Sequence, residues 1–291
     1  MQITIAGGKG GTGKTFVSTA LAFTCSKKFK TLLVDADVEC PNDHLIFGID
    51  RIWEKEIFHS IPKIDKNKCI RCGKCADVCR QNSLVFIKDK IPAFVKDTCI
   101  GCMACKLVCP KGAISEDKKV IGNIYSGKYE NLLLISGELL LGELASGEVV
   151  VDLKKYAKKE SNDIKAEMVL IDAPAGTGCP VIASLVDSDY IILVTEPTPS
   201  ALHDMKRVLH LAKHFKIPCG IIINKYDLAK SFCLQIEKFA EKNKIPIIGK
   251  IPYRREFLDA SLKMKIFVEL YPEYDEIICG IIDKIGITSH R

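Results

Sequence analysis

No apolar run in the 291-residue sequence approaches the roughly 20 residues that a membrane-spanning helix needs. The opening MQITIAGGKGG carries an apolar stretch only a strand long. It runs straight into a glycine loop, so nothing there reads as a signal peptide. Together these absences set the expectation of a cytoplasmic protein with no membrane partner. Charge of one sign is also scarce, with a formal net charge of only +6. From Lys63 to Lys118 there are 12 Lys/Arg against 6 Asp/Glu, a difference of +6, so this stretch accounts for the whole excess. A basic patch ordinarily suggests nucleic acid. Here eight cysteines lie within the same stretch, and as metal-bound thiolates they would offset the excess, so no nucleic-acid partner is expected. Tryptophan occurs once, as Trp53, and histidine six times. Trp53 and His59 fall in a poorly patterned link and receive no role. His203, His210 and His214 share one expected helix. The pair His210 and His214 has metal-ligand spacing, but solvated helix positions are the plainer reading.

What is present is ordinary globular composition, 47% hydrophobic and 27% charged, in a chain long enough to bury a core without disulfide staples. Cysteine is the exception, with 14 residues. In a reducing compartment clustered cysteines mean metal or redox chemistry more often than disulfides. Eight of them lie between Cys69 and Cys109. Cys25, Cys40, Cys219, Cys233 and Cys279 are scattered and read as core thiols, and Cys179 is considered separately below.

Residues 2–6 read as a buried strand, followed by a glycine-rich loop and a helix to about Ser26. Thr31 to Val34 is a second strand ending in Asp35-Ala36-Asp37. Strand, loop, helix, strand is the opening βαβ unit of a parallel sheet. After Lys118 the alternation resumes. Strands are expected at Leu132–Ile135, Met168–Ile171, Tyr190–Val194, Gly220–Ile223 and Ile247–Ile248. Helices are expected over 149–156, 199–214, 228–243, 255–264 and 273–285. This alternation predicts an α/β fold with a doubly wound, mostly parallel sheet. Residues 62–118 interrupt it with an internal repeat that reads as a small α+β, ferredoxin-like insert. The sheet domain is then expected in two parts, 1–61 and 119–291. The last helix carries Lys284 as its basic residue before His290 and Arg291 and is broken by Gly280. It reads as packed rather than membrane-binding.

Gly8, Lys9, Gly10, Gly11, Thr12, Gly13, Lys14 and Thr15 satisfy the pattern Gly-x-x-x-x-Gly-Lys-Ser/Thr between a strand and a helix. Glycines let backbone N–H groups point at phosphates, and the helix N-terminus adds its dipole. Lys14 is expected on the β- and γ-phosphates and Thr15 on Mg²⁺. Phe16 is grouped with the nucleotide-binding residues. ATP and Mg²⁺ are therefore the expected ligands.

The repeat reads Cys69-Ile-Arg-Cys-Gly-Lys-Cys-Ala-Asp-Val-Cys, echoed thirty residues later by Cys99-Ile-Gly-Cys-Met-Ala-Cys-Lys-Leu-Val-Cys. Each half is Cys-x₂-Cys-x₂-Cys-x₃-Cys. Three closely spaced cysteines can each take a corner of a cubane, and in two-cluster ferredoxins the fourth ligates the other cluster. One [4Fe–4S] cluster is accordingly assigned Cys69, Cys72, Cys75 and Cys109, and the other Cys99, Cys102, Cys105 and Cys79. Gly73 and Gly101 would let backbone pass close to inorganic sulfur. Pro110 follows the last cysteine as the motif asks, whereas Arg80 replaces the proline after Cys79 and removes no ligand. Zinc is the competing reading, but it favours paired Cys-x₂-Cys units with longer gaps.

The early lysine of Gly-Lys-Gly-Gly-Thr-Gly-Lys-Thr resembles the deviant Walker A loop of the MinD, ParA and nitrogenase iron protein group. With the cysteine insert, the chain resembles the ferredoxin-inserted branch of the MinD/Mrp ATPases, the cobyrinic acid a,c-diamide synthase-like iron–sulfur proteins. The stretch Thr195-Glu196-Pro197-Thr198-Pro199 adds to that likeness. The resemblance implies a nucleotide-dependent dimer in which Lys9 reaches the partner's phosphates and supplies positive charge in the transition state. Asp35-Ala36-Asp37 with Asn42 resembles switch I, which implies that Asp37 orients and deprotonates the attacking water and Asp35 supports Mg²⁺. Asp172-Ala-Pro-Ala-Gly-Thr-Gly resembles Walker B and switch II. By that likeness Asp172 holds Mg²⁺ through water and Gly176 senses the γ-phosphate. Asn224 and Lys225 resemble the base-reading loop, and Pro252 and Tyr253 a second adenine wall. Seven residues past Asp172, Cys179 stands where the nitrogenase iron protein places a ligand to a shared cluster. The matching upstream position is Leu144, so no bridging cluster is expected in a homodimer.

Three functions compete on the sequence. One is ATP-gated electron transfer through two [4Fe–4S] clusters to a redox partner. The second is an iron–sulfur or metallocluster assembly or carrier ATPase serving a cluster-acceptor protein. The third is a MinD-like positioning ATPase with redox-sensing clusters. The expected partner subunit is a second copy or a paralogous ATPase.

Overall fold

In the computed structural model, which describes residues 1–286, the chain forms two compact units. The first comprises Met1–Glu54, Ile124–Glu138 and the chain from Ser146 on. The second comprises Lys55–Asn123 and Leu139–Ala145.

In chain order the elements are β1 (Gln2–Gly7), α1 (Lys14–Ser26), β2 (Thr31–Asp35), α2 (Asp43–Phe47), β3 (Ile52–Ile64), α3 (Lys74–Asp77), β4 (Leu84–Val85), β5 (Ala93–Phe94), α4 (Ala104–Leu107), β6 (Ile114–Tyr129), β7 (Leu132–Leu139) and α5 (Ser146–Asp163). They continue as β8 (Met168–Ala175), α6 (Cys179–Leu185), β9 (Tyr190–Thr195), α7 (Pro199–His214), β10 (Cys219–Asn224), α8 (Lys230–Lys242), β11 (Ile247–Ile251), α9 (Arg255–Leu262), α10 (Phe267–Leu270) and α11 (Asp275–Ile285).

The main sheet runs β11-β10-β9-β1-β8-β2-β7-β6-β3. From β11 to β7 every neighbouring pair is parallel. β6 turns into β7 through Glu130 and Asn131, and a two-residue hairpin joins antiparallel strands. Successive residues on one strand point to opposite faces. Ile3, Ile5, Leu33, Ile192, Val194 and Ile222 join one apolar cluster with α1, α9, α10 and α11, while Ala6, Ile191, Leu193, Ile221 and Ile223 join another with α6, α7 and α8. Both faces are covered, so the strands are apolar without alternation, as parallel sheets require. The last helix contributes buried Ile278, Ile281 and Ile282 to the first cluster. His290 and Arg291 lie outside the described residues. Among the described residues no helix is long and apolar enough to cross a membrane.

Several elements extend the pattern read from sequence. The expected link containing Trp53 and His59 is part of β3, and β6 was not anticipated at all. Both are divided between the units, residues 52–54 and 124–129 in the first and the remainder in the second. α5 runs from Ser146 to Asp163, well beyond the expected turns at 149–156.

The second unit repeats its backbone as well as its sequence. Left-handed residues recur thirty positions apart as Arg71 and Gly101, Gly73 and Met103, and Asn82 and Gly112. α3 recurs as α4 at the same spacing, and the antiparallel pair β4–β5 registers Leu84 with Phe94. Leu84, Cys105 and Ile114 form its small core, with Ile64, Val78 and Phe94 packed against them.

Candidate functional site

Where β1 ends the chain turns through the glycine loop into α1. Gly13 sits at φ 95°, a left-handed conformation natural to glycine, and a Cβ there would lie 2.2 Å from the Asn224 amide nitrogen. The loop's phosphate-facing end is assembled from strand ends that register together. Asp35 of β2 pairs with Asp172 of β8. The Thr15 hydroxyl donates to Asp172 Oδ2 at 2.6 Å, and Asp172 Oδ1 is buried with no hydrogen-bond partner. Lys14 is only 7% exposed. Burial lowers the pKa of its ammonium, with Asp172 and Asp37 opposing. Burial likewise pushes Asp172 up to about 7, although Thr15 and Lys14 pull it down.

Asp35 accepts the backbone N–H groups of Asp37 at 3.2 Å, Asn42 at 2.9 Å and Asp43 at 3.1 Å, so it shapes the whole turn that carries Asp37. Burial and the neighbouring Asp172 nevertheless raise its carboxyl well above the usual range. Burial also raises Asp37, against the pull of Lys14. A fourth carboxylate, Asp43, was not anticipated. It is fully buried, neither of its oxygens has a partner, and burial followed by Asp35 and Asp172 raises its pKa well above the usual range. No signal in the sequence separates it from a solvated residue opening a short helix. Gly176 donates its N–H to the Gly8 carbonyl at 2.9 Å, joining the loop after β8 to the phosphate loop.

Lys9 is held within its own chain. Its Nζ lies 3.0 Å from Glu196 Oε1, while Lys225 Nζ lies 3.0 Å from Glu196 Oε2 and also donates to the Gly11 carbonyl at 3.1 Å. Burial would raise Glu196, but the two lysines outweigh it and keep the carboxyl below its ordinary value.

Beside the loop is a cavity of about 230 Å³ lined by Gly11, Gly13, Phe16, Asn224, Lys225, Pro252, Tyr253, Arg254, Phe257, Leu258 and Ser261. Every residue anticipated for base binding lines it. Phe16 is stacked on Phe267 with centroids 4.1 Å apart. The Asn224 side chain donates to the Thr12 carbonyl at 2.9 Å and accepts the Lys225 N–H at 2.9 Å. One amide hydrogen and one oxygen lone pair remain for a ligand. Asp227, also unanticipated, fastens the opposite wall. It accepts the Tyr253 N–H at 2.7 Å and Arg254 Nη1 at 2.9 Å.

In the second unit the eight cysteines separate into two sets. Cys69, Cys72, Cys75 and Cys109 line one cavity, and Cys79, Cys99, Cys102 and Cys105 line another. The Ser83 N–H donates to Cys79 Sγ at 3.2 Å and the Ala113 N–H to Cys109 Sγ at 3.2 Å, a matched pair at the two crossing cysteines. Burial would raise Cys79, but backbone amides of Ser83, Leu84 and Gln81 outweigh it and lower the thiol. Burial pushes Cys105 up to about 11. Gly73 and Gly101 face protein rather than open space. A Cβ on Gly73 would lie 2.7 Å from the Phe86 ring, and one on Gly101 would lie 3.0 Å from the Ser60 carbonyl. Among the described residues no three His, Cys, Asp or Glu side chains converge as one bound ion requires. His203 and His210 line an exposed groove with Lys206 and Arg207. Of the scattered cysteines, Cys25 and Cys233 are buried, but Cys40 and Cys179 are exposed.

The sequence profile of the CobQ/CobB/MinD/ParA nucleotide binding domain matches residues 3–267. An uncharacterized protein of Methanocaldococcus jannaschii is 33% identical over 270 residues, covering 92% of each chain. An iron-sulfur cluster carrier protein of the same organism is 29% identical over 136 residues, 41% of this chain and 47% of its own. Among solved structures, the septum site-determining protein MinD of Pyrococcus horikoshii, complexed with Mg-ADP, superposes with a TM-score of 0.61 at 19% identity. The match covers 98% of this chain and 95% of that one.

Proposed function

We propose that this chain, which belongs to the CobQ/CobB/MinD/ParA nucleotide-binding family, couples the nucleotide state of a dimer to electron transfer through two [4Fe–4S] clusters in its second unit. Proteins of the family are ATPases with a mostly parallel P-loop sheet, and the chain is one of them.

The residues present fit Mg²⁺ and ATP. Thr15 and Asp172 hydrogen-bond to each other where a cation would sit between hydroxyl and carboxylate, and Asp172 Oδ1 is buried without a partner. In this reading Lys14 neutralises the β- and γ-phosphates, Asp35 supports the Mg²⁺ ligands, and Asp37 takes the proton of the attacking water. Lys9 must leave Glu196 to reach a partner subunit's phosphates.

The single observation that carries the cluster assignment is the sorting of eight thiols into two four-cysteine cavities, each taking three from one half-repeat and one from the other. The matched N–H···S bonds support it, because donors to sulfur stabilise thiolate. Clusters so held would supply reversible one-electron steps. The chain's part is to hold them, shield them and alter their access as the nucleotide changes.

A second reading, a cluster carrier, is favoured by the similarity to the iron-sulfur cluster carrier protein. A third, a positioning ATPase, is favoured by the MinD-like fold. An anaerobic redox titration with and without MgATP separates them. Electron coupling predicts reversible reduction of clusters that remain bound, with potentials that move on adding MgATP. Clusters lost to an apo-acceptor protein would favour the carrier. Potentials indifferent to nucleotide, in clusters that stay bound, would contradict coupling.

A further inference from the structure

Glu196 stands in the turn between β9 and α7, beside the phosphate loop. The turn is stiff. The Glu196 carbonyl accepts the Thr198 N–H at 2.7 Å, and prolines at 197 and 199 fix the backbone on either side of that threonine. The carboxylate divides its oxygens between two lysines, Oε1 taking Lys9 Nζ at 3.0 Å and Oε2 taking Lys225 Nζ at 3.0 Å.

The two lysines are held differently. Lys225 has a second anchor in the Gly11 carbonyl at 3.1 Å. Among the described residues the Lys9 ammonium bonds Glu196 alone. Lys9 lies between Gly8 and Gly10, so neither neighbour has a side chain to restrict its backbone. Its own carbonyl accepts the Thr12 hydroxyl at 3.3 Å and faces the Lys14 ammonium at 3.5 Å. Phosphates arriving at Lys14 would draw that ammonium away, so nucleotide loosens the backbone of the residue whose side chain Glu196 holds. Glu196 is not stranded when Lys9 leaves. A partly buried carboxylate without a counter-ion is costly, and Lys225 stays on its other oxygen.

We propose that Glu196 is the positioning residue for Lys9: it latches the lysine within its own subunit while the chain is single, releases it to the partner's phosphates when ATP pairs two copies, and keeps Lys225 as its counter-ion throughout. Each dimer must open both latches, so Glu196 sets the protein concentration at which ATP-bound chains pair. The inference rests on the dimeric ATPase reading and is independent of the clusters.

The test is the dimer dissociation constant of the full chain by analytical ultracentrifugation, at saturating Mg²⁺ and a non-hydrolysable ATP analogue. The latch is partly exposed, with side-chain exposures of 39% at Lys9 and 13% at Glu196. Such a pair shifts an equilibrium by up to about fivefold, and two open per dimer, so Glu196→Gln should tighten the dimer by about fivefold or more. In a Lys9→Ala background the same change should shift the constant by less than about twofold, or leave both proteins without a dimer, because the latched amine is gone. A merely structural Glu196 would instead loosen the dimer in both backgrounds. Wild-type protein supplies a second measurement that does not depend on a variant folding. A zero-length carbodiimide should join Glu196 to Lys9 and to Lys225 in the nucleotide-free chain, as read by peptide mass spectrometry. In the dimer the Lys9 link should fall several-fold while the Lys225 link persists. A dimer unchanged or weakened by Glu196→Gln would overturn the proposal. So would equal tightening in the Lys9→Ala background, or a Lys9 link undiminished in the dimer. Wild-type protein that stays monomeric with the analogue would overturn the dimeric reading instead.

Discussion

Asp172→Asn should stabilise the nucleotide-free protein at pH 8 and remove the share of its pH dependence that Asp172 contributes. Asp172 is 1% exposed, with one oxygen bound to Thr15 and the other unpartnered. Its pKa in the folded chain is about 7 against an ordinary 3.8, raised chiefly by burial. The folded state thus holds this proton more tightly than the unfolded state. The resulting stability is fully present below about pH 4 and is lost as pH rises through about 7. A span of about three pKa units corresponds to a ceiling of about 4 kcal/mol. Asp35, Asp37 and Asp43 share the same burden. A neutral isostere that still accepts from Thr15 should therefore recover about 2 kcal/mol at pH 8 and less than half of that at pH 5. Urea unfolding at the two pH values measures it. MgATP, which needs the carboxylate, should stabilise wild type far more than the variant. A variant less stable than wild type at pH 8, or a wild type whose nucleotide-free stability does not fall from pH 5 to pH 8, would refute the argument.

Lys14→Ala should abolish nucleotide binding by removing the buried phosphate-facing charge. Lys9→Ala should leave binding measurable and slow hydrolysis, and equal loss of binding in both would contradict separate roles. Lys154 Nζ donates to the Ala183 and Ser184 carbonyls at 3.0 Å each and also to the Val186 carbonyl. Lys154→Met strips these acceptors at the end of α6 and should cost about 2 kcal/mol in a melting experiment, whereas an unchanged melting temperature would show that water replaces the amine. Cys179→Ser should keep full iron content, and loss of about four irons per dimer would reveal a bridging cluster.

The parallel sheet was legible because its strands are buried on both faces and end in turn and cap signals. α7 shows this best. Thr198 caps it by accepting the Ala201 N–H, Pro199 opens it, and Met205, Val208, Leu209 and Ala212 repeat at helical spacing. β3 and β6 were illegible for the opposite reason. β3 is the sheet's edge, and stretches such as Trp53-Glu54-Lys55-Glu56 and Glu116-Asp117-Lys118-Lys119 carry no clean alternation of apolar residues. The thirty-residue repeat made the cysteine sets readable because both halves follow one backbone path. Asp43, Asp227, Glu196 and Lys154 were not read as individuals. Each acts through a partner distant in sequence or through burial, and single polar residues on short helices and loops look alike until the fold brings those partners to them.

Iron, acid-labile sulfide and zinc analysis of anaerobically isolated protein tests whether the eight thiols of the second unit hold two four-iron clusters. Two such clusters require about eight irons and about eight sulfides per chain, falling by about half when either Cys75 or Cys105 is replaced by alanine. Stoichiometric zinc without sulfide would contradict it.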